Sequence, residues 1–273
     1  MKFISPCILF LNRWNPPSPV GVILFVLVAS ACLPFQSQAA PAPSPDPKAP
    51  AAKVAAAASG TAAVSSPSSA NLDALFPIGQ AHPLFDGATL RGWKITDFAG
   101  HGDVSVEKNI KGSPALVMEA GAALTGVTWT NALPTLDYEI ELDAIKLVGS
   151  DFFCGLTFPV NQASCTFVCG GWGGAVVGLS SIDSQDASMN ETTKYMKFAE
   201  DRWFHIRVKV TQAKIEAWID VEKMVDLETT GKKIHMRFGE ISESEPFGVA
   251  TYQTRGALRN FTLKRLAPSA PAK

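Results

Sequence analysis

The sequence predicts an all-β fold, a sandwich or jelly roll built from two antiparallel sheets. Residues 137–145 (DYEIELDAI) alternate apolar with acidic side chains, which is the period of a strand that buries one face. Further short apolar runs follow at intervals and are separated by turn residues, while the helical period is nearly absent. Many short antiparallel strands in one chain are typical of sandwiches and jelly rolls.

The remaining strands are predicted in order along the chain. They fall at 152–159, 164–172, 203–211, 214–219, 247–252 and 257–264. Residues 152–159 are nearly all apolar, as in a central strand, and Gln212-Ala213 forms a two-residue hairpin. Only 181–199 lacks a strand period, and a loop of that length in a compact domain is usually functional or mobile.

The first 39 residues predict a secretory signal peptide. An apolar run of 14 residues at 20–33 follows Lys2 and Arg13, and small residues lead to a cleavage site after Ala39. The run is shorter than the roughly 20 residues of a membrane span. We therefore expect export to the periplasm, the cell envelope or the medium, with no membrane span after cleavage. A lipoprotein anchor at Cys32 is the alternative.

Composition divides the rest of the chain. Residues 40–70 hold 12 alanines, six prolines and six serines, which predicts a disordered linker. Residues 71–266 form the predicted jelly-roll domain, and 267–273 a disordered tail. The formal net charge is −1 and no basic cluster occurs, so we expect no nucleic-acid partner. Nothing in the sequence indicates the oligomeric state.

Three cysteines, Cys154, Cys165 and Cys169, lie in the predicted domain. Because the number is odd, at most one disulfide forms among them, between Cys154 and either of the others. The alternative is three buried thiols that pack as small apolar residues. Their spacing does not fit a structural zinc site, so no metal-binding residues are predicted, and the sequence does not identify a cofactor.

Residues His82–Lys94 read HPLFDGATLRGWK and resemble the N-terminal motif of the 3-keto-disaccharide hydrolase family. The matching positions are Leu84, Phe85, Asp86, Gly87, Thr89, Leu90, Gly92 and Trp93. Segments 137–145, 203–226 and 258–266 resemble the family in the same order. The resemblance implies a concanavalin-like jelly roll, a carbohydrate ligand, and action on a glycosidic bond of a 3-keto sugar.

The chain also departs from that family. Many members carry Gln-Asp-His-Gly at the start of the last hairpin, where this chain reads Ala250-Thr251-Tyr252-Gln253. If the family's acid and histidine perform the chemistry, this chain lacks them. The alternative function is therefore a non-catalytic carbohydrate-binding or surface-assembly module of the same fold.

The stretch CGGWGGAVVGLSSID, Cys169 to Asp183, surrounds one tryptophan with glycines. A phosphate loop would need a following Lys-Ser/Thr and a helix, which are missing. Glycines in a strand leave room for a ligand to approach a neighbouring ring, so we predict Trp172 as a sugar platform. A core tryptophan with glycines relieving crowding is the alternative. Tyr252 and Arg255, in the last hairpin, are predicted to bind substrate as well.

Clustered carboxylates follow that stretch. Asp183, Asp186 and Glu191 are predicted as catalytic residues, one of them a general base, and Asn190 as a substrate-binding residue. A solvated polar loop is one alternative, and a hard cation such as Ca2+ bound by the clustered oxygens, in a spacing that fits no EF-hand, is another. A second set of carboxylates alternates along one strand, at Glu139, Glu141 and Asp143, with a spacing that glycosidases also use; a charged solvent-facing strand explains it equally.

Overall fold

The computed structural model describes residues 69–268, with side chains from residue 72 onward. The predicted signal peptide, nearly all of the linker, Cys32 and most of the tail lie outside the described residues. Within 69–268, no helix has the length and apolarity needed to cross a membrane.

Short strands account for most of the described chain. In chain order the elements are α1 (Ser69–Leu75), β1 (Ala81–Pro83), β2 (Trp93–Ile95), β3 (Val104–Ile110), β4 (Ser113–Met118), β5 (Leu124–Trp129), β6 (Tyr138–Gly149), β7 (Cys154–Val160), β8 (Ala163–Gly170), α2 (Gly171–Gly174), β9 (Val176–Ser180), β10 (Lys194–Tyr195), β11 (Trp203–Val210), β12 (Lys214–Ile219), β13 (Glu222–Glu228), a 3₁₀ helix (Glu240–Ser244), β14 (Gly248–Tyr252) and β15 (Thr254–Arg265).

The strands form two antiparallel sheets packed as a jelly-roll sandwich, which confirms the predicted fold class. The eight-stranded sheet has the order β13-β12-β11-β6-β15-β4-β3, and β1 pairs with the far end of β15. The seven-stranded sheet has the order β10-β9-β8-β7-β14-β5-β2. Non-consecutive neighbours such as β6 and β15, or β7 and β14, make the core depend on contacts between distant parts of the chain.

The core lies between the two sheets and follows the period-two pattern of the strands. On β6, Tyr138, Ile140, Leu142 and Ala144 are fully buried, and the intervening acids point away from the core. The opposite sheet contributes inward-facing side chains in the same alternating way; on β8 these are Cys165, Phe167 and Cys169. The alternation predicted for 137–145 is confirmed.

The three cysteines of the domain are buried free thiols. Cys154 on β7 is directly opposite Cys169 on β8. Burial raises the pKa of the Cys165 thiol to about 12, which keeps it protonated and unreactive. Of the sequence-based alternatives, the structure has the buried-thiol arrangement.

One hydrogen bond crosses the core and yields a stability prediction. The Tyr138 hydroxyl, on β6 of one sheet, donates to the carbonyl oxygen of Pro159, on β7 of the other, at 2.5 Å. Replacing Tyr138 by phenylalanine should lower the free energy of unfolding by about 1–2 kcal/mol, because a buried carbonyl loses its partner. Urea denaturation measures the change. Tyr195→Phe, at an exposed tyrosine, is the control; equal effects of the two variants would contradict the prediction.

Candidate functional site

A cavity of about 380 Å³ opens on the face of the seven-stranded sheet that points away from the core. Its floor comes from β5, β8, β9 and β14, and its walls from three loops. The lining residues are Leu124, Asp151, Phe152, Thr166, Val168, Trp172, Ser180, Arg237, Phe238, Gly239, Glu240, Ile241 and Tyr252. Its volume is in the range of small-molecule sites in proteins.

Strand alternation determines which side chains reach the cavity floor. Thr166 lies between two core residues of β8, so its side chain points to the opposite face, and Ser180 follows the core residue Leu179 in the same way. Thr166 and Ser180 are directly paired between β8 and β9. The floor is therefore a row of small hydroxyl side chains beside Val168.

Trp172 lies in a tight turn between β8 and β9, so the strand predicted through residue 172 is wrong. β8 ends at Gly170, and the turn uses left-handed backbone at Trp172 (φ 49°) and Gly173 (φ 85°). A side chain on Gly174 would place its Cβ 2.8 Å from the carbonyl oxygen of Ser150. The glycines are thus needed for the turn itself, and not to clear the face of a strand.

The turn presents the indole to the solvent side of the cavity. The Trp172 side chain is 39% exposed, so it is not a core residue. The carboxylate of Asp151 accepts the backbone N–H of Gly173 at 2.8 Å and that of Phe152 at 2.8 Å. Asp151 therefore ties the turn with Trp172 to the loop between β6 and β7.

Aromatic side chains form the other walls. The rings of Phe152 and Tyr252 are 5.8 Å apart, and Phe238 is fully exposed at the rim. Apolar aromatic rings beside a few polar groups form a typical small-molecule site. Rings at three edges of one cavity are suited to a flat ligand with alternating apolar and polar surfaces.

Among the charged residues of the cavity, Arg237 and Glu240 make neither an ion pair nor a side-chain hydrogen bond within the described residues, whereas Asp151 accepts two backbone N–H groups. The guanidinium carbon of Arg237 lies 5.4 Å from the centre of the Trp172 ring, a cation–π distance, and no carboxylate pairs with Arg237. Glu240, the first residue of the 3₁₀ helix, is exposed and makes no side-chain hydrogen bond. The cavity therefore offers one free cation and one free carboxylate.

The structure brings Trp172 and Tyr252 together in the cavity, but Asp183, Asp186, Glu191, Asn190 and Arg255 do not line it. The catalytic and binding roles of the latter five stay predictions.

The predicted catalytic acids form hydrogen bonds and ion pairs away from the cavity, with their own loop and with the segment after β13. Asp183 accepts the backbone N–H of Lys233 at 2.8 Å, and this bond, followed by the Lys232 ammonium, holds the pKa of its carboxyl below the usual value. Glu191 pairs with the same Lys232. The Asp186 carboxylate accepts the backbone N–H and the hydroxyl of Ser188. These acids stabilise the loop conformation that the structure shows.

Asn190 is buried and saturated with hydrogen bonds. Its amide nitrogen donates to the carbonyl oxygens of Leu179, Gln185 and Asp186, and its amide oxygen accepts from Thr192. These bonds hold the loop after β9 against the edge of the sheet. No donor of the amide is left for a ligand.

Arg255 also forms its ion pairs outside the cavity. Its guanidinium binds Glu119 at 2.7 Å and Glu107 at 2.8 Å, and these two carboxylates, Glu119 first, raise its pKa. The pair connects β15 to β3 and to the chain after β4. Arg237, and not Arg255, supplies the cation of the cavity.

The alternating acids of β6 lie on the outer face of the eight-stranded sheet. Glu139 pairs with Arg207 and Lys264. Burial opposes the ionisation of Asp143, but hydrogen bonds from His205, Asn260 and Arg259 hold the pKa of its carboxyl below the usual value. Glu139 and Asp143 take part in cross-strand ion pairs, and none of the three acids borders the cavity.

Sequence reasoning missed Asp151, Ser180, Arg237 and Glu240. No spacing rule relates these positions, which come from four separate segments. The segment Arg237-Phe238-Gly239-Glu240 is the one feature of the sequence that could have indicated these residues. Charged and aromatic residues beside a glycine, between two strands, indicate a loop with binding side chains.

The comparison with known families identifies the chain. Residues 80–264, more than half of the sequence, match the 3-keto-alpha-glucoside-1,2-lyase-like domain. The protein belongs to this family, and the resemblance read from its motifs is confirmed. No curated protein matches the chain.

Solved structures with a similar fold are distant in sequence. The carbohydrate-binding module CBM66 from Bacillus subtilis is 10% identical and covers 63% of this chain and 95% of its own, with a TM-score of 0.39. Domain 4 of an extracellular arabinanase from Geobacillus stearothermophilus, solved with arabinotriose, is 14% identical over 65% and 84%, with a TM-score of 0.42. A carbohydrate esterase from the Shiga toxin-encoding bacteriophage phi24B is 9% identical over 68% and 97%, with a TM-score of 0.44.

Proposed function

We propose that the Trp172 cavity binds a 3-keto sugar and that the domain cleaves its glycosidic bond by elimination. The observation that supports this most is the combination, in one cavity, of an exposed indole, an unpaired guanidinium and an unpaired carboxylate. Membership of the 3-keto-alpha-glucoside-1,2-lyase-like family supplies the substrate class.

Each group has a defined task in this reaction. A ketone at C3 acidifies the C–H bond at C2, and the Glu240 carboxylate removes that proton. The guanidinium of Arg237 stabilises the negative charge that develops on the ketone oxygen. The electron pair then forms the C1=C2 double bond as the C1–O bond breaks, and the departing oxygen takes a proton. Water adds to the double bond and gives the free 3-keto sugar.

Trp172 would act as the platform in this arrangement. The C–H face of a pyranose packs on an aromatic ring and excludes water from the reacting carbon. Phe152, Tyr252 and Phe238 would enclose the remainder of the ligand. Export, through the predicted signal peptide, is part of the proposal and places the domain where extracellular sugars occur.

A non-catalytic binding module is the second candidate function. The observation that favours it is the residue at the end of β14, where the cavity is lined by Tyr252 instead of an acid or a histidine. Incubating the purified protein with a 3-keto-glucoside and with its unoxidised parent separates the two. A free alcohol and a 3-keto sugar as products support elimination; binding without products supports the module.

Replacing Trp172 by alanine should weaken binding of both sugars by about tenfold to a hundredfold, because an aromatic side chain that the bound ligand covers commonly contributes that much. Isothermal titration measures the dissociation constants. Tyr195→Ala removes an exposed aromatic side chain that does not line the cavity and serves as the control. Wild-type affinity in Trp172→Ala would rule out this cavity as the sugar site.

A further inference from the structure

The hydroxyl of Ser180 is a buried polar group without a partner. Ser180 is 3% exposed and lines the cavity, yet its Oγ finds no hydrogen-bond partner among the described residues. Its neighbour Thr166 is satisfied, by Thr157 at 2.9 Å and by the sulfur of Met236 at 3.6 Å. An unpaired buried hydroxyl destabilises a fold. Of the unpartnered buried hydroxyls in the described residues, those of Ser180, Ser244 and Thr251, only that of Ser180 belongs to a residue of the cavity floor, where a ligand can complete it.

A second donor without an ionic partner, Arg237, comes from the segment that pairs with the end of β9. Ser181 and His235 exchange two backbone hydrogen bonds, of 2.8 and 3.3 Å, which aligns the end of β9 with the segment before the 3₁₀ helix. Ser180 directly precedes Ser181, Arg237 follows His235 by two residues, and both line the cavity. Two donors, one neutral and one charged, thus border the same space.

We infer that the Ser180 hydroxyl and the Arg237 guanidinium form an oxygen-binding subsite that prefers a carbonyl to a hydroxyl. The inference rests on the proposed function and deepens it: Ser180 positions the ketone oxygen and determines the preference for the oxidised sugar.

The preference follows from counting donors and acceptors. A ketone oxygen has two lone pairs and no proton, so it accepts from both Ser180 and Arg237 and every group is satisfied. A sugar hydroxyl in the same place adds a proton. Either that proton or the proton of Ser180 is then left without an acceptor at the subsite, which weakens binding of the unoxidised sugar.

The test compares two buried hydroxyls that both lack partners. Ser180→Ala removes the one in the cavity; Thr251→Val removes the hydroxyl of Thr251, which is fully buried, unpartnered and outside the cavity. Dissociation constants are measured for a 3-keto-glucoside and its parent glucoside. We expect Ser180→Ala to weaken binding of the keto sugar by about three- to tenfold, and of the parent less than twofold. Thr251→Val should change neither.

The outcomes separate the subsite from the site. Wild-type protein that binds the keto sugar, with an unchanged keto-to-parent affinity ratio in Ser180→Ala, overturns the subsite and leaves the proposed function standing. An equal loss of affinity for both sugars is one form of this unchanged ratio, and it would mean that Ser180 contacts the sugar without distinguishing the ketone from the hydroxyl. Wild-type protein that binds neither sugar overturns both.

Discussion

Replacing Glu240 by glutamine should lower the rate of 3-keto-glucoside cleavage by about 10²- to 10⁴-fold, the usual contribution of a general base. The amide keeps the size of the side chain and loses the ability to take the C2 proton. The Glu240 side chain makes no hydrogen bond or ion pair with the described residues, so the substitution breaks no described contact. Substrate affinity and the melting temperature should therefore stay near their wild-type values while kcat falls.

The cavity contains a second carboxylate, and its expected behaviour is different. Both oxygens of Asp151 accept backbone N–H groups, one of them from Gly173 in the turn with Trp172. Asp151→Asn should therefore disturb the platform and raise KM as well as lower kcat. If Asp151→Asn lowered kcat without changing KM, and Glu240→Gln kept full activity, Asp151 and not Glu240 would be the general base.

The acids predicted from the sequence provide the matched comparison. Asp183→Asn and Glu191→Gln alter carboxylates that pair with Lys232 and do not line the cavity. We expect each to keep cleavage within a few-fold of wild type. A large loss in either variant, combined with normal activity of Glu240→Gln, would favour the sequence-based assignment over the cavity-based one.

The fold class could be predicted because the strand pattern and the N-terminal motif are local features of the sequence, although the order of strands in each sheet is not. The strand period is visible within a single segment, at Tyr138, Ile140 and Leu142. Asp86 and Trp93 likewise belong to one short motif. The Asp86 carboxylate accepts hydrogen bonds from the hydroxyl and N–H of Thr89 and from the N–H of Ala88, which lower its pKa to about 2. Such short-range bonds are visible in sequence spacing.

A residue of the site could be predicted only where its neighbours in the sequence mark it as unusual. Trp172 stood out because of its glycines, although for a different backbone reason than expected. Arg237 and Glu240 come from a segment between β13 and β14, and only the packing of that segment over the seven-stranded sheet brings them to Trp172. Asp183 and Glu191 were predicted for their charge, but Lys232, 41 or more residues downstream in the chain, neutralises both.

Replacing Trp93 by alanine should lower the free energy of unfolding by about 3–5 kcal/mol. Trp93 is buried at one end of the sandwich, with the rings of Trp129, Phe261 and Phe247 at 5.1, 5.2 and 5.9 Å. Its indole N–H donates to the carbonyl oxygen of Leu84 at 2.8 Å. The truncation therefore leaves a large cavity and an unpaired buried carbonyl, and thermal or urea denaturation measures the loss.

Two further variants identify the cause of that loss. Trp218→Ala removes a tryptophan of the outer face, which is only partly buried and stacks on Arg207 at 3.7 Å, and it should cost far less. Trp93→Phe retains most of the ring volume but removes the hydrogen bond to Leu84, so its effect should lie between wild type and Trp93→Ala. If Trp93→Ala were no more destabilising than Trp218→Ala, the packing of Trp93 against Trp129, Phe247 and Phe261 would not be what stabilises this end of the core.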